Sequence, residues 1–568
     1  MTRAWWRSPA ALTLLGCLIV VAVFAYKAWQ RRWLCDDGLI VFRVVDQIHA
    51  GNGPVFNALE RTEAATSTLW TWLLAGTYSV YPGSLDHLAI NLGWICSVLA
   101  LVVGFDASRR FWRLRGMTAP LIPAGALITV AVYGFWDFAT SGLETGMTWL
   151  WCSACWWLLV TIGTSTRRQW IAAIVIGAGP LVRPDYALVT VVFLVAAWFV
   201  VRPARRRTLA LLGAAIALPL LYEVFRAGFY GILVPLPALA KSATGSQWGR
   251  GLHYLHDFVR PCLVWIPTSV LAITLGVALR HRVFAKTELV TLAAPIASGL
   301  LLALYLVRVG GDFMHARMLL GPALLVVLPA FVLPLQRGLV IAPIVGLVAW
   351  AAIVGPLRDD NRTHSDGGEL ATVWDERVAT LWYTRFTNPR NRGVFIQGMQ
   401  PVSGWLADAI RERREMLLTE GGVQYAMRAG SGATQMFIVG RLGGGGAIVP
   451  LDGMVIDVMG LANPIGARIP ITKPGKAGHE KELPIWWILA DVGDLAQIAA
   501  QQQIPPDQLA EADAARRAFE CGDLAELRAS VRAPLTFSRF WSNVFGSIGR
   551  TRLVIPTSAI AAEREFCR

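Results

Sequence analysis

The sequence predicts a polytopic α-helical membrane protein of about eleven spans, followed by a C-terminal extracytoplasmic α/β domain. Three observations predict it. Hydrophobic residues make up 55% of the 568 residues, and mean hydropathy is +0.49, a balance of membrane proteins rather than soluble ones. Eleven stretches approach the roughly 20 apolar residues needed to cross a bilayer: 9–29, 87–105, 119–135, 145–163, 170–182, 186–201, 208–222, 261–279, 288–307, 318–335 and 339–355. Beyond Leu357 the apolar runs shorten and charge rises, leaving about 210 residues, an ordinary size for one domain. The division is therefore a membrane domain over 1–355 and an extracytoplasmic domain over 356–568.

The first stretch is expected to stay as a span rather than leave as a signal peptide. No small-x-small cleavage site follows it, and the bulky Trp29 and Trp33 stand there instead. Residues 67–81 are apolar enough to tempt a twelfth span, but the basic residues argue against it. With Arg3 and Arg7 cytoplasmic and 67–81 not crossing, the clusters at Arg109–Arg115, Arg167/Arg168, Arg202–Arg207 and Arg280–Lys286 all fall inside. If 67–81 crossed, all would fall outside, against the positive-inside rule. The segment 67–81 is thus expected to lie in the outer interface, within a first outer loop over 34–86. The 24 Trp suit the two interfaces.

In the tail, 433–440 and 447–459 read as strands separated by the glycine run 443–446. Residues 403–418 and 507–519 read as helices. Cys521 and Cys567 are the only cysteines of the tail, and they suit a disulfide in an exported domain. Cys152 and Cys155 fall within a span and read as apolar packing.

The net charge of +14 suits anionic lipid or substrate phosphate. The basic residues punctuate apolar spans and form no separate basic domain, so nucleic acid is a poor partner. The lipid bilayer of the plasma membrane is the expected partner; the sequence names no protein partner. The span centres carry almost no ionisable residues, and no internal repeat is visible, which weighs against an ion-coupled transporter.

With this topology the polar clusters gather on the outer side. Asp36, Asp37, Arg43, Asn57 and Glu63 fall in the first outer loop. Asp137 and Glu144 fall in the second, and Arg183 and Asp185 at the end of a short span. Tyr230 and Lys241 fall in the loop 223–260, and Arg308, Asp312, His315 and Arg317 in another. Carboxylates at the mouth of a span are costly beside hydrocarbon, although Asp36 and Asp37 equally suit a plain helix cap. Arg and Lys at headgroup level suit a phosphate. Carboxylates suit sugar hydroxyls, proton transfer or a divalent cation (Mg²⁺, Mn²⁺ or Ca²⁺) held by Asp36 and Asp37. A lipid-linked phosphosugar satisfies all of these needs.

The acidic pair followed by GNGPVFNALERTEAATSTLW (51–70) resembles the membrane-embedded GT-C glycosyltransferases that use polyprenyl-phosphate sugars. More specifically, DFATSGLE (137–144), LVRPDYAL (181–188), FRAGFYGILVPLPALAK (225–241), RVGGDFMHARMLL (308–320), VIDVMGLANP (455–464), GHEKELP (478–484) and SVRAPLTFSRFWSN (530–543) are similar to the arabinofuranosyltransferase B family of mycolic-acid actinobacteria. The segment PLPA (235–238) departs from the Pro-Ser/Asn-Thr pattern of that family, while Lys241 stays in place.

The resemblance implies a GT-C fold and no nucleotide sugar. It implies transfer of D-arabinofuranose from decaprenyl-phosphoryl-arabinofuranose to the non-reducing ends of an arabinan acceptor. The linkage would be the terminal β-(1→2) one, in arabinogalactan and lipoarabinomannan. A β-linked donor and a β-linked product mean retention, through a carboxylate nucleophile or front-face attack. Asp36 and Asp37 are the expected catalytic carboxylates. Lys241, Arg308, His315 and Arg317 would hold the leaving phosphate. Arg43, Asn57, Glu63, Glu144, Arg183, Asp185, Tyr230, Asp312, Asp457, Asn463 and His479 are the expected substrate contacts. Transfer of another sugar such as mannose, and a lipid-linked sugar transporter or flippase, are the competing readings.

Overall fold

The computed structural model describes residues 8–114, 116–242, 245–280, 284–335, 341–355, 357, 372–473 and 475–567. Arg3, Arg7, Arg115 and Arg282, used above for orientation, lie outside them, as does most of the junction between the two predicted domains.

The chain is a membrane protein, mostly helical. Helix α1 (Pro9–Gln30) begins at Ser8, whose hydroxyl accepts from the Ala11 N–H at 3.1 Å, with Pro9 in the first turn. Among the described residues five helices are long and apolar enough to cross a bilayer: Pro9–Gln30, Leu85–Arg113, Pro184–Val201, Arg205–Phe229 and Lys286–Arg308. Three shorter apolar helices, Trp265–Val277, Arg317–Ala330 and Ala342–Val354, accompany them.

Not every apolar stretch is a spanning helix. Residues 119–135 break into a short strand paired with 333–334 and two short helices, Leu127–Ala131 and Tyr133–Phe138. Pro120 and Pro123 interrupt the start. A Cβ on Gly125 would come within 2.6 Å of the Ala330 carbonyl oxygen, so this backbone packs directly on its neighbour. The segment is buried in protein, where irregular backbone is tolerated.

After α1 the chain turns through buried Trp33, Leu34 and Cys35 into α2 (Asp36–His49), whose two first-turn carboxylates favour the helix start. Helix α3 (Thr68–Tyr78) has 11 residues, about half the length needed to cross. Its Ser67 cap accepts from the Trp70 N–H at 3.4 Å.

The tail holds a four-stranded sheet of β1 (Met416–Thr419), β2 (Gln424–Tyr425), β3 (Gln435–Val439) and β4 (Met454–Asp457), in the order β2-β1-β3-β4. The β1–β2 pair is antiparallel; β1–β3 and β3–β4 are parallel. Two expectations need correction. The predicted helix 403–418 ends at Arg411, and its apolar end, Met416–Leu418, is the buried strand β1. The glycine run is not a loop between strands but most of a helix, α4 (Leu442–Ile448), so the following strand shrinks to Met454–Asp457. Cys521 and Cys567 form a disulfide. Cys152 and Cys155 are buried free thiols.

One sheet face, with Leu417, Met436 and Ile456, packs on the helices Ile485–Val492 and Pro506–Ala518. The opposite face, with Leu418, Phe437 and Val455, packs on Ile40 and Val44 of α2, on Phe56 and on Leu406. The first loop after α1 is therefore one layer of the tail's own core. Burying each such side chain contributes roughly 1.5–3 kcal/mol. This packing fixes α2, and its acidic pair, against the tail.

Candidate active site

A cavity of about 570 Å³ lies between the ends of the apolar helices and the tail. Five of its charged residues sit at helix boundaries: Asp36 and Asp37 open α2, Glu144 precedes Thr145–Thr161, Arg183 follows Gly179–Val182, and Arg317 opens Arg317–Val327. Helix ends are where polar side chains leave hydrocarbon, so one face of the bundle collects them.

The acidic pair is divided by its surroundings. The Asp36 carboxylate accepts N–H bonds from Gly443 (3.0 Å) and Gly444 (2.8 Å) at the start of α4. The glycines are required there, since a Cβ on Gly443 would stand 1.9 Å from the Asp36 carbonyl oxygen. Burial and the Asp37 charge push Asp36 up to about 6, while the two amides pull it down. Asp37, on the next position of the helix, diverges by roughly 100°. Its Oδ2 accepts from Arg317 Nη1 at 3.1 Å. Asp36 is thus clamped by the tail and Asp37 faces the basic side of the cavity.

Arg317 is the hub. Besides Asp37 it lies 3.7 Å from Glu144 and 3.6 Å from Asp312. Arg183 pairs with Glu144 and, at 3.1 Å, with Asp185. Lys241 approaches Asp312 at 3.5 Å. Burial, the largest single effect, pushes Asp312 up, but the Lys241, Arg317 and Arg183 cations together outweigh it and hold the carboxyl below the usual range.

A second basic group stands around Phe313. Lys241 and Lys476 lie 5.9 and 5.5 Å from the centre of its ring, and Lys476 lies 4.1 Å from that of Trp374. The His479 ring meets Phe313 edge-on at 4.8 Å. Burial and the two lysines depress His479 to about 4, so it is neutral. The neighbouring wall is apolar, with Leu306, Val309 and Met318. Glu376, on the tail helix Glu376–Thr384, completes the acidic side. Burial, then the charges of Asp37 and Asp36, push its carboxyl well above the usual range.

Asp36, Asp37, Glu144, Arg183, Asp185, Lys241, Asp312, Arg317 and His479 thus line one cavity. The other expected site residues lie elsewhere. Arg43 is buried and donates to the carbonyls of Phe56, Gly446, Val449 and Pro450, strapping α2 to the end of α4. Asn57 exchanges two hydrogen bonds with the Val455 backbone and extends the edge of β4. Glu63 pairs with Arg226 and accepts from the Tyr222 hydroxyl at 2.7 Å. The Tyr230 hydroxyl donates to the Pro54 carbonyl. Arg308 is exposed at the end of Lys286–Arg308. His315 is held behind the wall between Asp257 (2.5 Å) and the Tyr133 hydroxyl (2.8 Å). Asp457 accepts from the Met459 and Ala462 amides, and Asn463 caps the turn at Ile465 and Gly466. Asp457 therefore positions the loop whose Met459 and Leu461 line the cavity.

Glu376, Lys476 and Arg250 escaped the sequence reading although they line the cavity. Lys476 stands two residues before the GHEKELP stretch, which was the available signal. Among the described residues no three His, Cys, Asp or Glu come together to hold a metal ion.

A family model described as the AftB family C-terminal domain matches residues 426–558. The terminal β-(1→2)-arabinofuranosyltransferase of Mycobacterium tuberculosis (strain ATCC 25618 / H37Rv) is 34% identical over 603 residues, covering 95% of this chain and 94% of that protein. The chain belongs to the AftB family. A second AftB-family relative, the terminal β-(1→2)-arabinofuranosyltransferase of Corynebacterium glutamicum, is 31% identical, covering 94% of this chain and 84% of that protein. No solved structure matches the chain. The AftB C-terminal match begins at Ala426, inside the tail, and includes α4, the helix that clamps Asp36.

Proposed function

We propose that this chain is an arabinofuranosyltransferase that moves a D-arabinofuranosyl unit from decaprenyl-phosphoryl-arabinofuranose to the non-reducing ends of cell-wall arabinan. The new bond is the terminal β-(1→2) linkage, formed on the extracytoplasmic side of the plasma membrane. The observation that carries this reading is the pairing, in one cavity, of a carboxylate facing Arg317 with a lysine pair around Phe313. A prenyl phosphate has an anionic head on an apolar chain, and this wall offers Lys241 and Lys476 beside Leu306 and Val309.

In this reading Lys241 and Lys476 take the donor phosphate and stabilise its charge as it leaves. Asp37 faces the anomeric carbon. In double displacement its carboxylate bonds to C1 as the phosphate departs; the acceptor 2-hydroxyl oxygen then displaces the carboxylate from C1, and the hydroxyl proton passes to the released prenyl phosphate. In front-face transfer the same carboxylate stabilises the oxocarbenium-like centre. Both routes retain configuration. Asp36 positions α2 against the tail.

The test is transfer of labelled arabinofuranose from the decaprenyl-phosphoryl donor to a synthetic α-(1→5)-arabinofuranoside, using purified protein in detergent. A β-(1→2) product by NMR is the expected result. Activity with a mannosyl donor alone would discard the sugar assignment, and silence with every donor would discard the transferase reading for this chain.

The position of Asp36 also predicts pH behaviour. Its carboxylate must be ionised for both oxygens to accept the Gly443 and Gly444 amides, and it ionises at about 6. The rate of transfer should rise with pH through a limb centred there. Because the folded-state value is raised, ionisation costs the fold stability over the window from the ordinary carboxylate value up to about 6. The melting temperature should therefore carry a falling contribution across the same window. Asp36→Asn should flatten both trends; an unchanged acid limb in that variant would assign it to another group.

A further inference from the structure

A second cavity, of about 230 Å³, opens in the tail next to the first. The two share Glu420 and Arg441 as lining residues, so this pair is the partition between them. Arg441 Nε donates to Glu420 Oε1 at 2.6 Å, and Glu420 Oε2 accepts from the Gly440 amide at 3.0 Å. The Arg441 guanidinium lies 5.5 Å from the ring centre of Tyr383, which faces the larger cavity. The partition is therefore held in place from both sides.

The outer wall of the second cavity is Trp405, on the helix Val402–Arg411. This indole is 44% exposed, although it belongs to a concave surface. It lies against the turn of the β1–β2 hairpin, where a Cβ on Gly422 (φ +84°) would come within 2.9 Å of the ring. The glycine lets the hairpin support the indole from behind while its other surface stays open. Gln400, exposed beside it, offers both a donor and an acceptor.

Among the described residues that line this pocket the charged groups are Glu420 and Arg441, and they neutralise each other. No lysine lines it, in contrast to the larger cavity with Lys241 and Lys476. A flat apolar ring, a fixed carboxylate–guanidinium pair and an amide match a neutral polyhydroxylated ligand. The C–H face of a sugar ring packs on the indole, and its hydroxyls meet the polar groups. An anionic headgroup would find no uncompensated cation.

We propose that this second pocket is an acceptor subsite, binding the glycan units behind the terminal sugar that enters the larger cavity. Trp405 is its stacking platform, and Glu420 and Arg441 mark the crossing point. This rests on the arabinan-acceptor reading above. The enzyme then reads more of its acceptor than the terminal ring, and affinity should grow with acceptor length until the Trp405 pocket is filled.

Two measurements on the full chain in detergent test this. The first is binding of α-(1→5)-arabinofuranosides of two, four and six units without donor, by saturation-transfer difference NMR. The wild type should bind the hexasaccharide more tightly than the disaccharide. Trp405→Ala should weaken hexasaccharide binding by roughly 3–10-fold, the scale of one aromatic contact, and Trp405→Phe should recover most of it. Trp382→Ala, at an 82% exposed residue outside both cavities, is the control and should match the wild type. The second is KM in the transfer assay, where the penalty of Trp405→Ala should increase from disaccharide to hexasaccharide. Equal hexasaccharide affinity in wild type and Trp405→Ala, or a penalty independent of length, would overturn the subsite. Length-dependent binding with no transfer from any donor would keep the subsite and reject the transferase reading.

Discussion

Replacing Asp37 by Asn should lower kcat by roughly 10²–10⁴-fold, the range for a carboxylate acting directly at the reacting centre. The substitution keeps the size and one acceptor oxygen for Arg317 but replaces the other oxygen with a donor and removes the negative charge, so KM for the donor should move little. Arg317 would remain paired with Glu144 and Asp312, 3.7 and 3.6 Å away, so the cavity should keep its form. Asp36→Asn should cost less, because its partners are the Gly443 and Gly444 amides rather than the open cavity. Initial rates with labelled donor, alongside thermal unfolding, separate the two roles. Full turnover in Asp37→Asn would remove this residue from the chemistry, whatever the behaviour of Asp36.

The second large effect belongs to Arg317. Its guanidinium serves Asp37, Glu144 and Asp312, and it is itself buried. Arg317→Met keeps the apolar stem and removes, among the described residues, the one cation paired with all three. A buried carboxylate left uncompensated costs about 3–5 kcal/mol, which should appear as a fall in melting temperature of several degrees or more. Arg317→Lys keeps the charge but cannot fork towards three carboxylates, so it should recover stability better than activity. A Met variant with unchanged melting temperature would show that the carboxylates find protons or Arg183 instead.

The sequence was informative where composition alone decides the outcome. Long lipid-facing helices such as Arg205–Phe229 announce themselves by hydropathy. The stretch 119–135 has the same composition but is buried in protein, and hydropathy cannot distinguish lipid from protein as the apolar neighbour. The same limit applies to the site. Helix boundaries on one side of the bundle were legible, which is why Asp37, Glu144, Arg183, Asp312 and Arg317 fall together. Which way each polar side chain turns was not. Arg43 and Asn57 share a loop with Asp37 yet bind tail backbone. Glu376 stands in no motif and reaches the cavity only because the tail folds over it.

The insertion of α2 into the core of the tail has an evolutionary consequence. The two halves of the chain cannot drift as independent modules. Ile40 and Val44 must fit Phe437 and Val455, and the Asp36 backbone must fit a glycine at 443. A recombination event that joined the helices of one lineage to the tail of another would carry a mismatched surface into the reaction centre itself. If the Trp405 pocket is the acceptor subsite proposed above, specificity for a new acceptor is more accessible by local change there than by exchange of whole segments, and descent in such a lineage should preserve the chain as one unit of inheritance.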